Sequence, residues 1–202
     1  YTTTDTLSLH DALPIYGGWV FSGWTGDAGG FSNPVSVTMD GPRSVTGAFL
    51  PLVGLSVTSA HGSPDPVVGA HAYVSGTSVT ASVESPVAGP DGTRYVCTGY
   101  TGTGSAPSGA GLSVTFTITQ DSTLTWNWRT EHLLTIVSAR GGDPQGGGWY
   151  TEGATAHWSV TSPAAGAAGT RYEARPASGS VEMTGPKTVM VTWATQYYLT
   201  TA

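Results

Sequence analysis

Five histidines, His10, His61, His71, His132 and His157, are the side chains best suited to move a proton or hold a metal in this 202-residue chain. A metal centre needs three or four ligands at short, fixed spacing. Only His61 and His71 flank a common turn, Ser63-Pro-Asp-Pro66, and no carboxylate or Cys stands at ligand spacing to complete a set. They read as loop histidines, and no metal is expected. Nucleophilic catalysis needs a nucleophile, a base and an orienting group brought together. The chain holds no H-E-x-x-H, no G-x-S-x-G elbow and no Walker loop. The carboxylates Asp27, Asp65, Glu84, Asp91, Asp143 and Glu152 fall mostly in turn sequences. A calcium loop packs several oxygens at alternating positions, and Thr25-Gly-Asp-Ala-Gly-Gly30 offers one carboxylate. A Lys–Asn crosslink has one lysine to draw on, Lys187, with Asn33 and Asn127, so it could not recur through the chain. Neither asparagine stands in an N-x-S/T context. The expectation is no catalytic residue, no cofactor and no enzyme.

Aromatic side chains are the remaining candidates. Exposed coplanar rings stack on sugars, whereas rings recurring at one strand position with Val and Ile fill a core. Trp24 and Tyr100 recur at one position, Trp19, Tyr95 and Tyr172 at a second, and Phe49, Trp128 and Trp193 at a third. A small β unit needs such rings for buried area, each contributing roughly 1.5–3 kcal/mol or more. Trp24, Tyr100, Phe116, Trp126, Trp128 and Trp193 are therefore expected in cores. Trp149, Tyr150 and Trp158 lack counterparts in the middle of the chain, which has Ala72-Tyr73 and Ala81. These three form the candidate binding patch. Cys97 stands where Phe21 and Ala174 stand in related segments, so it is expected to be buried and inert.

Composition narrows the partners. Lys and Arg total 7 and the net charge is -6, which cannot supply the basic stripe that nucleic acid requires. One cysteine excludes an internal disulfide framework. No run approaches the roughly 18 apolar residues of a membrane helix. Seven Trp and nine Tyr in alternating patterns argue against disorder.

The elements that hold these residues follow a repeat. Trp19-Val-Phe-Ser-Gly-Trp-Thr-Gly26 returns as Tyr95-Val-Cys-Thr-Gly-Tyr-Thr-Gly102. Ser85-Pro86 leading to Thr93-Arg-Tyr95 returns 77 residues later as Ser162-Pro163 leading to Thr170-Arg-Tyr172. Val37 to Phe49 echoes Val181 to Trp193, with Phe116 to Trp128 between them. Inside each segment the period is two: Leu112, Val114, Phe116 and Ile118 alternate with Ser113, Thr115, Thr117 and Thr119. The same pattern runs through Val79-Ala81-Val83, Leu124-Trp126-Trp128 and Val189-Val191-Trp193. No helical spacing is sustained. The expected fold is all-β: tandem small β-sheet repeat units, β-sandwich or β-grasp-like without a helix, in an elongated array. Trp126 to Ala139 lacks Gly and Pro, so the last strand of one unit is expected to pass directly into the next. The expected division is 17–50 as the back half of a truncated repeat, 51–130 and 131–195 as complete repeats, and 196–202 as the start of another. Residues 1–16 break the pattern. Asp5 to Ile15 resembles a translated sequencing-adaptor fragment, so 1–16 is expected to be a non-native or variable leader.

Gly18 to Phe49 resembles the divergent internalin-type B-repeat family of bacterial surface proteins. The matching residues are Trp19-Val-Phe-Ser-Gly-Trp-Thr-Gly-Asp27, Asn33-Pro34, Val37-Thr-Met-Asp40, Val45-Thr46 and Phe49. The match weakens over Leu55–Trp128 and again over Leu134–Trp193, where Arg175-Pro-Ala177 replaces the Gly-aromatic-Thr core. The resemblance implies extracellular β modules, secreted or cell-wall attached, that act as spacers or adhesin stalks without catalytic residues. A host or cell-wall glycan or protein is the implied partner, with no nucleic acid and no membrane span. The alternative function is a carbohydrate- or protein-binding module using Trp149, Tyr150 and Trp158.

Overall fold

The computed structural model describes residues 18–32 and 34–199, and the leader 1–16, Asn33 and the last three residues lie outside them. Among the described residues all regular structure is β, in several small sheets, and no helix occurs. The strands are β1 (Trp19–Gly26), β2 (Val45–Ser59), β3 (Gly69–Val74), β4 (Thr77–Ser82), β5 (Val87–Ala88), β6 (Thr93–Thr103), β7 (Ser113–Ile118) and β8 (Ser122–Val137). They continue as β9 (Gly148–Thr151), β10 (Thr155–Ser159), β11 (Ala164–Ala165), β12 (Thr170–Arg175), β13 (Ser178–Glu182), β14 (Lys187–Met190) and β15 (Thr192–Tyr197). The Gly- and Pro-free stretch after Trp126 lies within one strand, β8, as the lack of breakers requires. β2 likewise continues through Pro51.

The chain forms two compact units that interleave along the sequence. One takes the chain up to Ser59, then Ser63–Val83 and Gly99–Trp126; the other takes Ala60–Gly62, Glu84–Thr98 and Asn127 onward. The stretch 51–130 thus contributes to both.

In the first unit β1 lies antiparallel to β2, with a bulge between Phe21 and Gly23. β3 is antiparallel to β2, and β4 to β7. The opening of β8 runs parallel to the end of β2, from Leu55↔Ser122 to Ser59↔Trp126. Alternation sorts the faces: Leu55, Val57, Leu124 and Trp126 are buried, while Ser56, Thr58, Thr123 and Thr125 meet water. Val79, Ala81, Val83, Val114 and Ile118 are also buried, and Phe116 is half-buried. Leu112 falls outside β7 and is exposed, its carbonyl accepting the Val83 N–H at 3.0 Å. A second cluster joins Trp24, Ala28 and Val37 to Phe21, Val35 and Val45.

In the second unit β9 is antiparallel and β14 parallel to the later part of β8. β10 pairs with β13, and β12 lies between β11 and β15. Leu134, Ala156 and Met183 make one cluster, flanked by Ile136, Tyr150, Val181 and Val189. Trp158, Val160, Ala174 and Val191 make another.

Local hydrogen bonds recur at constant offset. Ser85 Oγ accepts the Cys97 N–H at 2.9 Å, and Ser162 Oγ accepts the Ala174 N–H at 2.9 Å. Val87↔Tyr95 and Ala88↔Arg94 become Ala164↔Tyr172 and Ala165↔Arg171. The Gly76 and Val83 amides reach the Ile118 and Leu112 carbonyls, as those of Gly153 and Val160 reach Met183 and Ala177. The recurring Gly has a steric reason at Gly99. Its φ is +127°, and a Cβ there would lie 2.3 Å from the Gly109 carbonyl oxygen.

Of the six rings expected in cores, Trp24 and Trp126 are buried, and Tyr100, Phe116, Trp128 and Trp193 are half-buried. Cys97 is half-buried, not buried, beside a strand only partly covered.

Candidate functional site

The expected patch of Trp149, Tyr150 and Trp158 is not an exposed one, and β pairing explains why. Trp158 of β10 pairs with Gly179 of β13, whereas Ala81 of β4 pairs with Val114 of β7. The large and small partners exchange strands, so the room that Gly179 leaves is filled by the indole. A Cβ at Gly179 would lie 3.0 Å from Trp158 Nε1. Trp158 is accordingly 7% exposed, among Val160, Ala174 and Val191. Trp149 is half-buried because the Arg94 guanidinium lies over its ring at 4.5 Å. Tyr150 is half-buried, its hydroxyl donating to the Gly146 carbonyl at 2.8 Å.

Arg94 belongs to the most tightly organised polar cluster of the second unit. Glu131 on β8 is 5% exposed. Its Oε2 accepts Arg94 Nε at 2.8 Å and Nη2 at 2.7 Å. Its Oε1 accepts Arg129 Nε at 3.0 Å and Nη2 at 2.8 Å. Burial opposes ionisation of this carboxyl, but the hydrogen bonds from Arg94 and Arg129 outweigh it and hold the group below the usual carboxylate range. Both oxygens are engaged by guanidinium forks, an arrangement that positions strands and leaves no free carboxylate oxygen to act as a base. Arg171 Nε donates to Gln196 Oε1 at 2.6 Å at the corresponding place between β12 and β15. Next to Glu131, His132 is buried; its Nδ1 contacts Thr93 Oγ1 at 3.1 Å and its Nε2 has no hydrogen-bond partner.

The remaining histidines hold structural positions. His61 stacks on Tyr95 with centroids 3.5 Å apart and planes 7° apart, with Trp128 edge-on at 5.8 Å. Arg140 takes the same role over Tyr172 at 3.5 Å. His71 Nε2 lies 2.6 Å from the Val67 carbonyl. Among the described residues no group of three or more His, Cys, Asp or Glu is placed to hold a metal ion. Asp27 staples a turn, Oδ2 accepting the Ser44 N–H at 2.7 Å and Oδ1 accepting Arg43 Nη1 at 3.0 Å. Those two donors hold its carboxyl below the usual range. Arg43 also pairs with Asp40.

The forked cluster has a sequence signal in the recurring Thr-Arg-Tyr and in the shared face of Arg129 and Glu131 at a spacing of two. The distance along the chain from Arg94 to Glu131 hides the pairing. Large exposed rings occur elsewhere, at Trp19, Phe31, Phe49, Tyr197 and Tyr198. Comparison with known proteins finds no matching family model, no matching curated protein and no matching solved structure.

Proposed function

We propose that this chain is a run of tandem β repeats serving as a structural spacer or stalk in a secreted or surface-displayed bacterial protein. The observation that carries the reading is the constant offset of unrelated backbone contacts. The Ser-Pro turn bond, the short antiparallel pair behind it and the Gly76-type turn contact all recur 77 residues on. A repeated unit reproduces such contacts as a set. Long strands such as β8 leave little slack between successive repeats. Three further features support the reading. The resemblance of Gly18–Phe49 to the internalin-type B-repeat family implies extracellular modules. Thr and Ser faces keep strands wetted in a chain with 10% charged residues. The one tight ionic cluster, at Glu131, is consumed by strand positioning.

The test inserts the chain between a cell-wall anchor and an epitope tag on a bacterial surface. The tag's height above the membrane is read by energy transfer to a membrane dye. A spacer raises the tag by several nanometres, and deleting 51–130 lowers it again. A height unchanged by insertion contradicts the reading.

A further inference from the structure

We propose that each compact unit carries a shear clamp that makes the chain resist tension applied at its ends. This rests on the stalk reading, since a stalk is pulled end to end. The end of β2 and the opening of β8 run parallel through Leu55↔Ser122, Ser56↔Thr123, Val57↔Leu124, Thr58↔Thr125 and Ser59↔Trp126. The second unit repeats the arrangement with Leu134↔Lys187 through Val137↔Met190. In both, the strand nearer the N-terminus lies parallel to the strand that leads out toward the C-terminus. Tension from the two ends then draws the paired strands in opposite directions along their own axes. Every hydrogen bond of the ladder is loaded together, whereas an antiparallel hairpin pulled at its open end yields one bond at a time. Forced rupture is set by this unfolding barrier and not by equilibrium stability.

The surroundings reinforce the ladder. In the first unit its inner face is dry, Leu55, Val57, Leu124 and Trp126 being 0 to 2% exposed, so water cannot readily replace a stretched bond. Asp121 Oδ1 accepts the Gly54 N–H at 2.7 Å at the head of the ladder, and Thr58 Oγ1 meets Thr125 Oγ1 at 2.7 Å across it. In the second unit the Val191 N–H extends the ladder to the Val137 carbonyl at 2.9 Å. There only Leu134 is fully buried, Ile136, Lys187 and Val189 being half-buried and Met190 69% exposed. The second clamp is shorter and wetter, and it yields first.

Single-molecule force spectroscopy on the full chain tests this. Opening the first clamp frees the chain from Leu55 to Trp126, a gain of about 23 nm, and opening the second frees Leu134 to Met190, about 18 nm, at roughly 3.5 Å per extended residue. Pulled from its ends, the chain should show both steps, the shorter one at lower force. The comparison is Ser56→Cys with Thr123→Cys in a Cys97→Ala background, held by those two cysteines. Ser56 and Thr123 are exposed direct partners, so this geometry peels the first ladder. Position 97 matches Ala174 in the recurring register, so Ala is accommodated there. End-to-end rupture of the 23 nm step at twice the peeling force or more supports the clamp. Equal forces in the two geometries, or steps of other lengths, overturn it. Either result leaves the tag-height assay untouched, so the two readings fail separately.

Discussion

Replacing Trp158 by Ala separates a core indole from a ligand platform. The side chain is 7% exposed, packed against Val160, Ala174 and Val191, with Ile136, Ala177, Val189 and Trp193 beside them. Truncating a buried Trp costs about 3–5 kcal/mol, transfer and cavity terms together. At roughly 2–4 °C per kcal/mol for a protein of this size, the second unit should melt about 10 °C lower. Near-ultraviolet circular dichroism and urea titration read the change. Gly179→Ala provides the internal control. Its methyl would sit 3.0 Å from Trp158 Nε1, so it is destabilising by about 1 kcal/mol alone. Combined with Trp158→Ala, the methyl enters the vacated space and the two changes are less than additive. A loss under about 1 kcal/mol for Trp158→Ala, with additive behaviour in the pair, would refute the packing argument, since surface substitutions stay in that range.

Three further outcomes follow from named contacts. Glu131→Gln should lower stability by about 1–3 kcal/mol at pH 7, because the charge-assisted bonds to Arg94 and Arg129 weaken. The folded carboxyl titrates below its unfolded value, so this contribution is present above the unfolded value and fades as pH falls through the folded one. Urea midpoints of the two proteins should therefore converge in acid, and a gap constant with pH would contradict the assignment. Ser85→Ala and Ser162→Ala each remove the acceptor of one partly buried amide, at about 1–3 kcal/mol apiece. The Cys97 and Ala174 amides should lose exchange protection in the respective variants, and protection retained in both would count against the bonds. Gly99→Ala should destabilise the first unit by more than about 2 kcal/mol, because φ is +127° and the methyl meets the Gly109 carbonyl. A melting curve like that of the parent would show a different backbone there.

The strands were legible wherever a face alternates. Val79-Ala81, Val114-Ile118 and Leu124-Trp126 were placed on the right face by period two alone. The repeat was legible because turn chemistry leaves a mark: Ser-Pro and Thr-Arg-Tyr hold the same positions in the Ser85 and Ser162 loops. Partner choice was not. Alternation shows that Leu55 faces inward, but nothing local says that its strand lies parallel to one beginning 67 residues later at Ser122. The same limit hid the Arg94–Glu131 fork. Trp158 was misplaced for a related reason. Its lack of a counterpart at Ala81 suggested an exposed ring, when the compensating change lay across the sheet at Gly179. Volume is conserved over the pair, not over the single position. Trp19 and Phe49 share sequence positions with half-buried rings yet are 49% and 44% exposed, so recurrence in sequence does not by itself confer burial.

Residue-resolved amide exchange across equivalent positions tests the repeat most directly. The donors Gly76, Val83 and Cys97 correspond to Gly153, Val160 and Ala174, each bonded to the equivalent acceptor. The account predicts that both members of every pair are protected, since each N–H is held by the same local geometry. Protection confined to Gly76, Val83 and Cys97, with Gly153, Val160 and Ala174 exchanging at once, would contradict it.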